Sequence, residues 1–217
     1  MSYSGHVRVG GAPDAHELSH LVITKAAVGP MDNNAYLLRC RQTGDELLID
    51  AANDADTLVA LLGEGPLGSV VTTHRHGDHW QALDAVIRAS GATTVAHEAD
   101  AGAIPVPTGH VVHDGDRVAV GACELEVIHL VGHTPGSIAL LYDDPTGSPH
   151  LFTGDSLFPG GVGRTTSPAN FVQLIGDVEA KLFDRLPDET RVYPGHGDDT
   201  TLGAERPHLG EWRARGW

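Results

Sequence analysis

Lysine is almost missing from this chain: Lys25 and Lys181 are the only two among 14 Lys and Arg residues, set against 29 Asp and Glu. The resulting formal net charge of −15 argues against a nucleic-acid partner, which is held through Lys and Arg, and against an anionic membrane surface. Cysteine is equally scarce. Cys40 and Cys123 are too few for a disulfide framework, and both fall in strand-like runs, where a small core residue is expected. No stretch approaches the roughly 18 apolar residues of a membrane span. The opening MSYSGHVRVGGAPDAHELSH has neither an apolar signal region nor a cleavage pattern, so a cytoplasmic location is expected. A dividing linker and a fixed-period repeat are both missing as well.

What remains is a chain of 217 residues, 41% hydrophobic, enough for one sizeable core and short for two. A single domain over 1–217 is expected, with residues 1–18 as a polar N-terminal arm. Short apolar runs bounded by Gly, Asn and Asp read as buried strands: LVIT (21–24), AYLL (35–38), ELLID (46–50), SVVTT (69–73), TTVA (93–96), RVAV (117–120), CELEVIHL (123–130), SIALLY (137–142), HLFTG (150–154) and RVYP (191–194). Leu58, Leu61 and Leu62 have helical spacing ahead of Gly63, WQALDAVIRAS reads as a helix stopped by Gly91, and residues 170–186 form the longest helix candidate. The Gly-, Pro- and His-rich segment 97–116 is expected to be mostly loop. Strands followed by helices in both halves point to an α/β fold.

The stretch THRHGDHW (73–80) then stands out, because it sets His74, His76, Asp78 and His79 directly after a strand. Neutral imidazole is the commonest metal-binding side chain. While the chain stays extended, His74 and His76 point the same way and can bind one ion. A bend at Gly77 would turn Asp78 and His79 toward a second. Three more strand ends carry a ligand type beside glycine: His133 in GHTPGS (132–137), Asp155 in FTGDSLF (152–158) and His196 in YPGHG (193–197). Five histidines and two aspartates suit two ions if one carboxylate bridges. The nine other histidines have no comparable spacing and are expected on surface or loops.

This ordered set, H-x-H-x-D-H and then His, Asp and His, resembles that of the metallo-β-lactamase superfamily, and most of all its glyoxalase II (hydroxyacylglutathione hydrolase) branch. DNNAYLL (32–38) and LLIDAA (47–52) resemble the early strands of the same family. The resemblance implies an αββα sandwich of two mixed β-sheets flanked by helices, with metals at one edge. It assigns His74, His76 and His133 to a first ion and Asp78, His79 and His196 to a second. Asp155 bridges them, and Asp78 and Asp155 are the carboxylates expected at the centre of catalysis. Asp50 corresponds to an aspartate that steadies the metal loop from behind, a support that metal-binding imidazoles need; a simple turn or cap role stands beside that reading.

Two divalent ions, zinc first and iron or manganese as alternatives, would generate hydroxide at neutral pH and stabilise an oxyanion. The resemblance therefore implies hydrolysis of a small-molecule thioester of a low-molecular-weight thiol by a metal-bridging hydroxide. Arg164, in the loop FPGGVGRTT (158–166), is placed to hold a substrate carboxylate or to form a structural salt bridge. Two departures from glyoxalase II leave the thiol carrier open. Only about twenty residues follow His196 where full-length members carry a further helical domain, and the lysine-containing glutathione-binding stretch is replaced by Gly-Arg-Thr. The rival reading is a persulfide dioxygenase with one iron on the equivalents of His74, His133 and Asp155. A lactonase or other ester hydrolase shares the hydrolytic step. Oligomeric state is not readable.

Overall fold

The computed structural model describes residues 3–216. Its strands form two mixed sheets. The first runs, in spatial order, β1 (Asp14–Glu17), β2 (Leu21–Val28), β3 (Asn33–Cys40), β4 (Glu46–Ile49), β5 (Leu67–Val71), β6 (Thr93–His97) and β7 (His110–Val112), antiparallel as far as β4 and parallel beyond it. The second is built from β8 (Arg117–Val120), β9 (Cys123–His129), β10 (Ile138–Tyr142) and β11 (His150–Gly154). A short hairpin follows, β12 (Leu157–Phe158) with β13 (Gly161–Val162), before β14 (Arg191–Pro194) and β15 (Thr200–Thr201) complete the second sheet. Its spatial order is β15-β14-β11-β10-β9-β8, and only β11 and β14 are parallel.

Alternate side chains of a strand face opposite ways, and here both faces are covered. On β3, Tyr36, Leu38 and Cys40 enter the core between the sheets, whereas Ala35 and Leu37 meet the helices α1 (Ala55–Leu61), α2 (Leu83–Ser90) and α3 (Glu98–Ala101). On β10, Ile138, Leu140 and Tyr142 face the same inter-sheet core, and Ala139 and Leu141 meet α4 (Pro168–Val178), α5 (Leu202–Glu205) and α6 (Leu209–Arg215). The layers are therefore αββα, and burial on both faces is why these strands read as unbroken apolar runs. In α4, Phe171, Leu174, Ile175 and Val178 repeat at helical spacing and are buried. Ser167 caps this helix by accepting from the Asn170 amide, with Pro168 in its first turn.

Several local expectations change. Within the polar N-terminal arm, β1 pairs with β2, and buried Lys25 donates to the Gly5 carbonyl at 2.8 Å. The segment 97–116 contains α3 and β7 as well as loop. The long helix passes into one wide π turn at Glu179–Phe183. Two histidines outside the ligand motifs, His97 and His150, are buried in strands. Among the described residues, no helix is long and apolar enough to cross a membrane.

Candidate metal centre

Four strand ends meet at one edge of the sandwich, and backbone hydrogen bonds lock their loops together. The Thr73 carbonyl after β5 accepts from the Ile138 amide of β10 at 3.0 Å. The Gly195 amide after β14 donates to the Gly154 carbonyl at 2.8 Å, and the Asn34 amide of β3 donates to Gly195 at 2.7 Å. These bonds set the loop of Asp155 against that of His196. Glycine is required at Gly195, where a Cβ would collide with Asp155 Oδ1 and the His79 ring, and at Gly163, where it would strike the Asp155 carbonyl. Gly77 is different: it lies in a 3₁₀ turn, Gly77–His79, without a left-handed φ, and a Cβ there would make ordinary contact with Trp80. The turn itself, rather than glycine's special freedom, aims Asp78 and His79.

All seven residues of the motif set come together. Ligand-type atoms of His74, His76 and His133 lie within 4.8 Å of one another, as do those of Asp78, His79 and His196, and those of His74, His79 and Asp155. His76 Nδ1 is 2.9 Å from His133 Nε2, and His79 Nε2 is 3.3 Å from His196 Nε2. Asp155 stands between the groups, with Oδ1 3.3 Å from His79 and Oδ2 3.6 Å from His133 and 3.5 Å from His196.

The far ring nitrogens are held from behind. His79 Nδ1 meets Asp50 Oδ2 at 2.8 Å, His133 Nδ1 meets the Arg164 carbonyl at 2.7 Å, and His196 Nδ1 meets the Met31 carbonyl at 2.9 Å. His74 Nδ1 lies 3.1 Å from the Thr73 hydroxyl. Asp50 also accepts from the Thr73 amide and hydroxyl, both at 2.8 Å. Its place is therefore behind the metal loop, and its left-handed backbone, φ 59°, aims the carboxylate there. Arg164 is exposed and makes no ion pair among the described residues. It lines a cleft of about 230 Å³ with Phe158, whose ring centroid is 6.3 Å from that of His196.

Three contributors were not legible as site residues. Asn33 is buried and donates to Asp78 Oδ2 at 2.9 Å. Buried Asp100 accepts from the Arg75 amide at 3.0 Å, the Thr134 hydroxyl at 2.5 Å and the Gly136 amide at 3.0 Å, so one carboxylate fixes both the loop of His74 and the loop of His133. Lys25 donates to the Gly197 carbonyl at 2.8 Å and to Asp199 at 2.7 Å, bracing the segment after His196. The DNN triplet was the one available signal for Asn33; nothing local marks the other two.

Without an ion, the carboxylates of the cluster hold protons on two of its imidazoles, and a bound cation would displace them. Burial alone lowers His79, but Asp50 and Asp155 outweigh it and raise that imidazole to about 10. His196 also reaches about 10 against burial, through Asp155 and Asp78. Asp155, despite burial, is held well below the carboxylate range by His196 and His79, and Asp78 is held low first by His196. Burial, followed by the neighbouring His79, keeps His74 neutral. His74 Nε2 and Asp155 Oδ1 are buried without a hydrogen-bond partner, a costly condition that a shared cation relieves. The nitrogen and oxygen donors suit zinc, iron or manganese.

Comparison with known proteins agrees with this geometry. The metallo-β-lactamase superfamily model matches residues 28–196. Hydroxyacylglutathione hydrolase from Fuscovulum blasticum is 39% identical over 168 residues, 76% of this chain and 62% of that protein. This chain thus spans less than two thirds of that relative's length. ETHE1 from Myxococcus xanthus superposes with a TM-score of 0.76 at 31% identity, covering 86% of this chain and 82% of that one. A protein crystallised in a di-iron-bound form superposes with a TM-score of 0.70 at 33% identity, covering 84% and 96%. With two mixed sheets between helices and the clustered His and Asp residues at their edge, the chain belongs to the metallo-β-lactamase superfamily, whose fold binds divalent metals and whose members are mostly hydrolases.

Proposed function

We propose that this chain is a dinuclear metal hydrolase acting on a thioester of a low-molecular-weight thiol. The observation that carries the reading is the position of Asp155 between the two sets of ligands, with Oδ2 3.6 Å from His133 of one set and 3.5 Å from His196 of the other, and Oδ1 3.3 Å from His79 of that second set. His74, His76 and His133 would hold one ion, Asp78, His79 and His196 the other, with Asp155 shared. When bound, such ions bring the pKa of water down to roughly 7 and polarise a carbonyl oxygen. Zinc is the expected occupant, and the di-iron-bound relative makes iron the first alternative.

The chain's own residues do the rest. Asp50, the Arg164 carbonyl and the Met31 carbonyl fix three imidazoles so that each presents its other nitrogen inward. Buried His74 and His79 close the floor of the site to bulk water. Phe158 and the exposed Arg164 line one cleft, where Phe158 would offer an apolar wall and the Arg164 guanidinium would receive a carboxylate of the thiol moiety. A thiol of pKa about 8.5 departs as thiolate, so no protein acid has to protonate it. The similarity to hydroxyacylglutathione hydrolase over 168 residues supports the substrate class.

A second reading, a mononuclear iron oxygenase acting on a persulfide, has His74, His133 and Asp155 as its ligands and draws on the likeness to ETHE1. Asp78, His79 and His196, with Asn33 donating to Asp78, would give the dinuclear reading a second set of ligands that the mononuclear reading does not use. A panel of hydroxyacyl thioesters on glutathione and other small thiols, run beside simple esters and lactones, tests it. Thiol release that requires metal, and that falls when Arg164 is replaced by alanine through a rise in KM, is expected. Oxygen uptake with a persulfide and no thioester turnover would overturn it.

A further inference from the structure

Lys25 is one of only two lysines in the chain, and it is fully buried. A buried ammonium is costly unless its protons find acceptors. Three stand around it: the Gly5 carbonyl and the Gly197 carbonyl, each at 2.8 Å, and Asp199 Oδ1 at 2.7 Å. Lys25 lies on β2, Gly5 ahead of β1, and Gly197 and Asp199 between His196 and β15. One side chain thus joins three separate stretches of chain, beside a residue of the metal cluster.

The backbone is gripped on both sides of His196. Ahead of it, the Pro194 carbonyl accepts from Asn34 Nδ2 at 2.9 Å and from the Tyr36 hydroxyl at 2.7 Å. Behind it, the Gly197 carbonyl accepts from Asn34 Nδ2 at 2.9 Å as well as from Lys25. Asn34 and Tyr36 belong to β3, so their grip comes from the sheet itself. The grip of Lys25 depends on Asp199, which balances its charge, and Asp199 depends in turn on the segment 3–6.

That segment crosses the loop as a strap. The Tyr3 hydroxyl donates to Asp199 Oδ2 at 2.6 Å, and the Tyr3 ring stacks on His16 with centroids 4.6 Å apart. His6 Nδ1 meets Asp198 at 2.7 Å. Asp14 of β1 anchors the strap, accepting from the Ser4 amide at 2.8 Å, the Ser4 hydroxyl at 2.7 Å and the Gly5 amide at 3.1 Å. Gly5 has a left-handed φ of 77°, and a Cβ there would stand 2.9 Å from Asp199 Oδ2. Glycine therefore sits where strap and loop touch. The loops of His74 and His133 are joined instead through Asp100.

A buried ion pair seldom adds net stability, because desolvating two charges offsets their attraction. What Lys25 and Asp199 supply is position. We propose that Lys25, Asp199 and the strap set the affinity of the second ion, the one on Asp78, His79 and His196, and leave the first ion, on His74, His76 and His133, unaffected. They are positioning residues, acting through the backbone that presents His196. The inference rests on the dinuclear reading, whose two sets of ligands it makes separately adjustable.

Zinc is the probe. Stepwise affinities are measured on the full chain by competition with a chelator, and anomalous scattering from crystals of the same proteins shows which position each zinc fills. Lys25→Met/Asp199→Asn removes both charges together, so neither is left buried alone. Gly5→Ala keeps both charges and pushes the strap away from Asp199. The double variant should bind the second zinc about 10- to 100-fold more weakly, the usual loss when support behind a ligand is removed. Gly5→Ala should weaken the same ion, and in both variants its anomalous peak should fade first as zinc is limited. The first zinc should keep its wild-type affinity. Equal weakening of both ions would mean that these residues only stabilise the fold, and it overturns the proposal. So does an unchanged second affinity in either variant that folds. Gly5→Ala alters no buried charge, so the test stands if the double variant does not fold. A wild type that binds a single zinc overturns the dinuclear reading itself, and the inference with it, whereas two zincs in wild type and variants alike overturn the inference alone.

Discussion

Asp50 shows how much one side chain can decide. Its carboxylate accepts from Thr73 twice and meets His79 Nδ1, so it fixes both the start of the ligand loop and the tautomer of one ligand. Asp50→Asn keeps the shape but loses the charge behind His79. Metal affinity, measured by competition with a chelator, should fall about 10- to 100-fold; an unchanged affinity would mean the carboxylate only shapes the turn. The same residues set a pH dependence for the metal-free chain. His79 and His196 are raised from 6.5 to about 10. A raised folded value stabilises fully below the unfolded value and is lost as pH climbs through the folded one. Denaturant unfolding of the metal-free chain should therefore show stability falling between about pH 6.5 and pH 10. A flat or rising curve would contradict the pairing. At this scale the seven ligand-type residues were legible because each sits in a local strand-end motif. Asp100 was not. Its partners Arg75, Thr134 and Gly136 lie 25 to 36 positions away, and no local pattern foretells a buried carboxylate that joins two loops.

Elements were legible where burial imposes a period and obscure where it does not. The apolar stripe of α4 is continuous from Phe171 to Val178, and Leu174, fully buried at its centre, touches the second sheet's outer core. Leu174→Ala should cost about 3 kcal/mol, the usual range for a core leucine left as a cavity. Urea unfolding reads this directly, and a loss below about 1 kcal/mol would mean the helix is not seated as described. By contrast β1 and β7 are edge strands of four and three residues, with half of their side chains or more at least partly exposed. Their composition looks like loop, and only pairing with β2 and β6 makes them strands. The π turn at Glu179–Phe183 escapes sequence reading for a related reason: its residues still suit a helix, and only the width of the turn changes.

For the whole molecule, the order of the sheets follows from chain connectivity, and the site follows from the sheets. β5, β9, β11 and β14 all deliver their loops to one edge, so residues from 74 to 196 share a pocket small enough for ligand atoms to lie within 4.8 Å of one another. The layered fold and the metal edge could be anticipated because the spaced motifs carry them. The packing of the turn between β8 and β9 onto Cys40 at the end of β3 could not, since nothing local marks a contact between segments so far apart in the chain. The central claim is that two cations share Asp155. Metal content per chain, on protein purified without added metal or chelator, tests it most directly, read beside thioester hydrolysis on the same sample. About two ions per chain, falling to one or fewer in Asp155→Ala together with loss of hydrolysis, is the predicted result. A single iron per chain in the wild type, with no second ion taken up on titration, would contradict it.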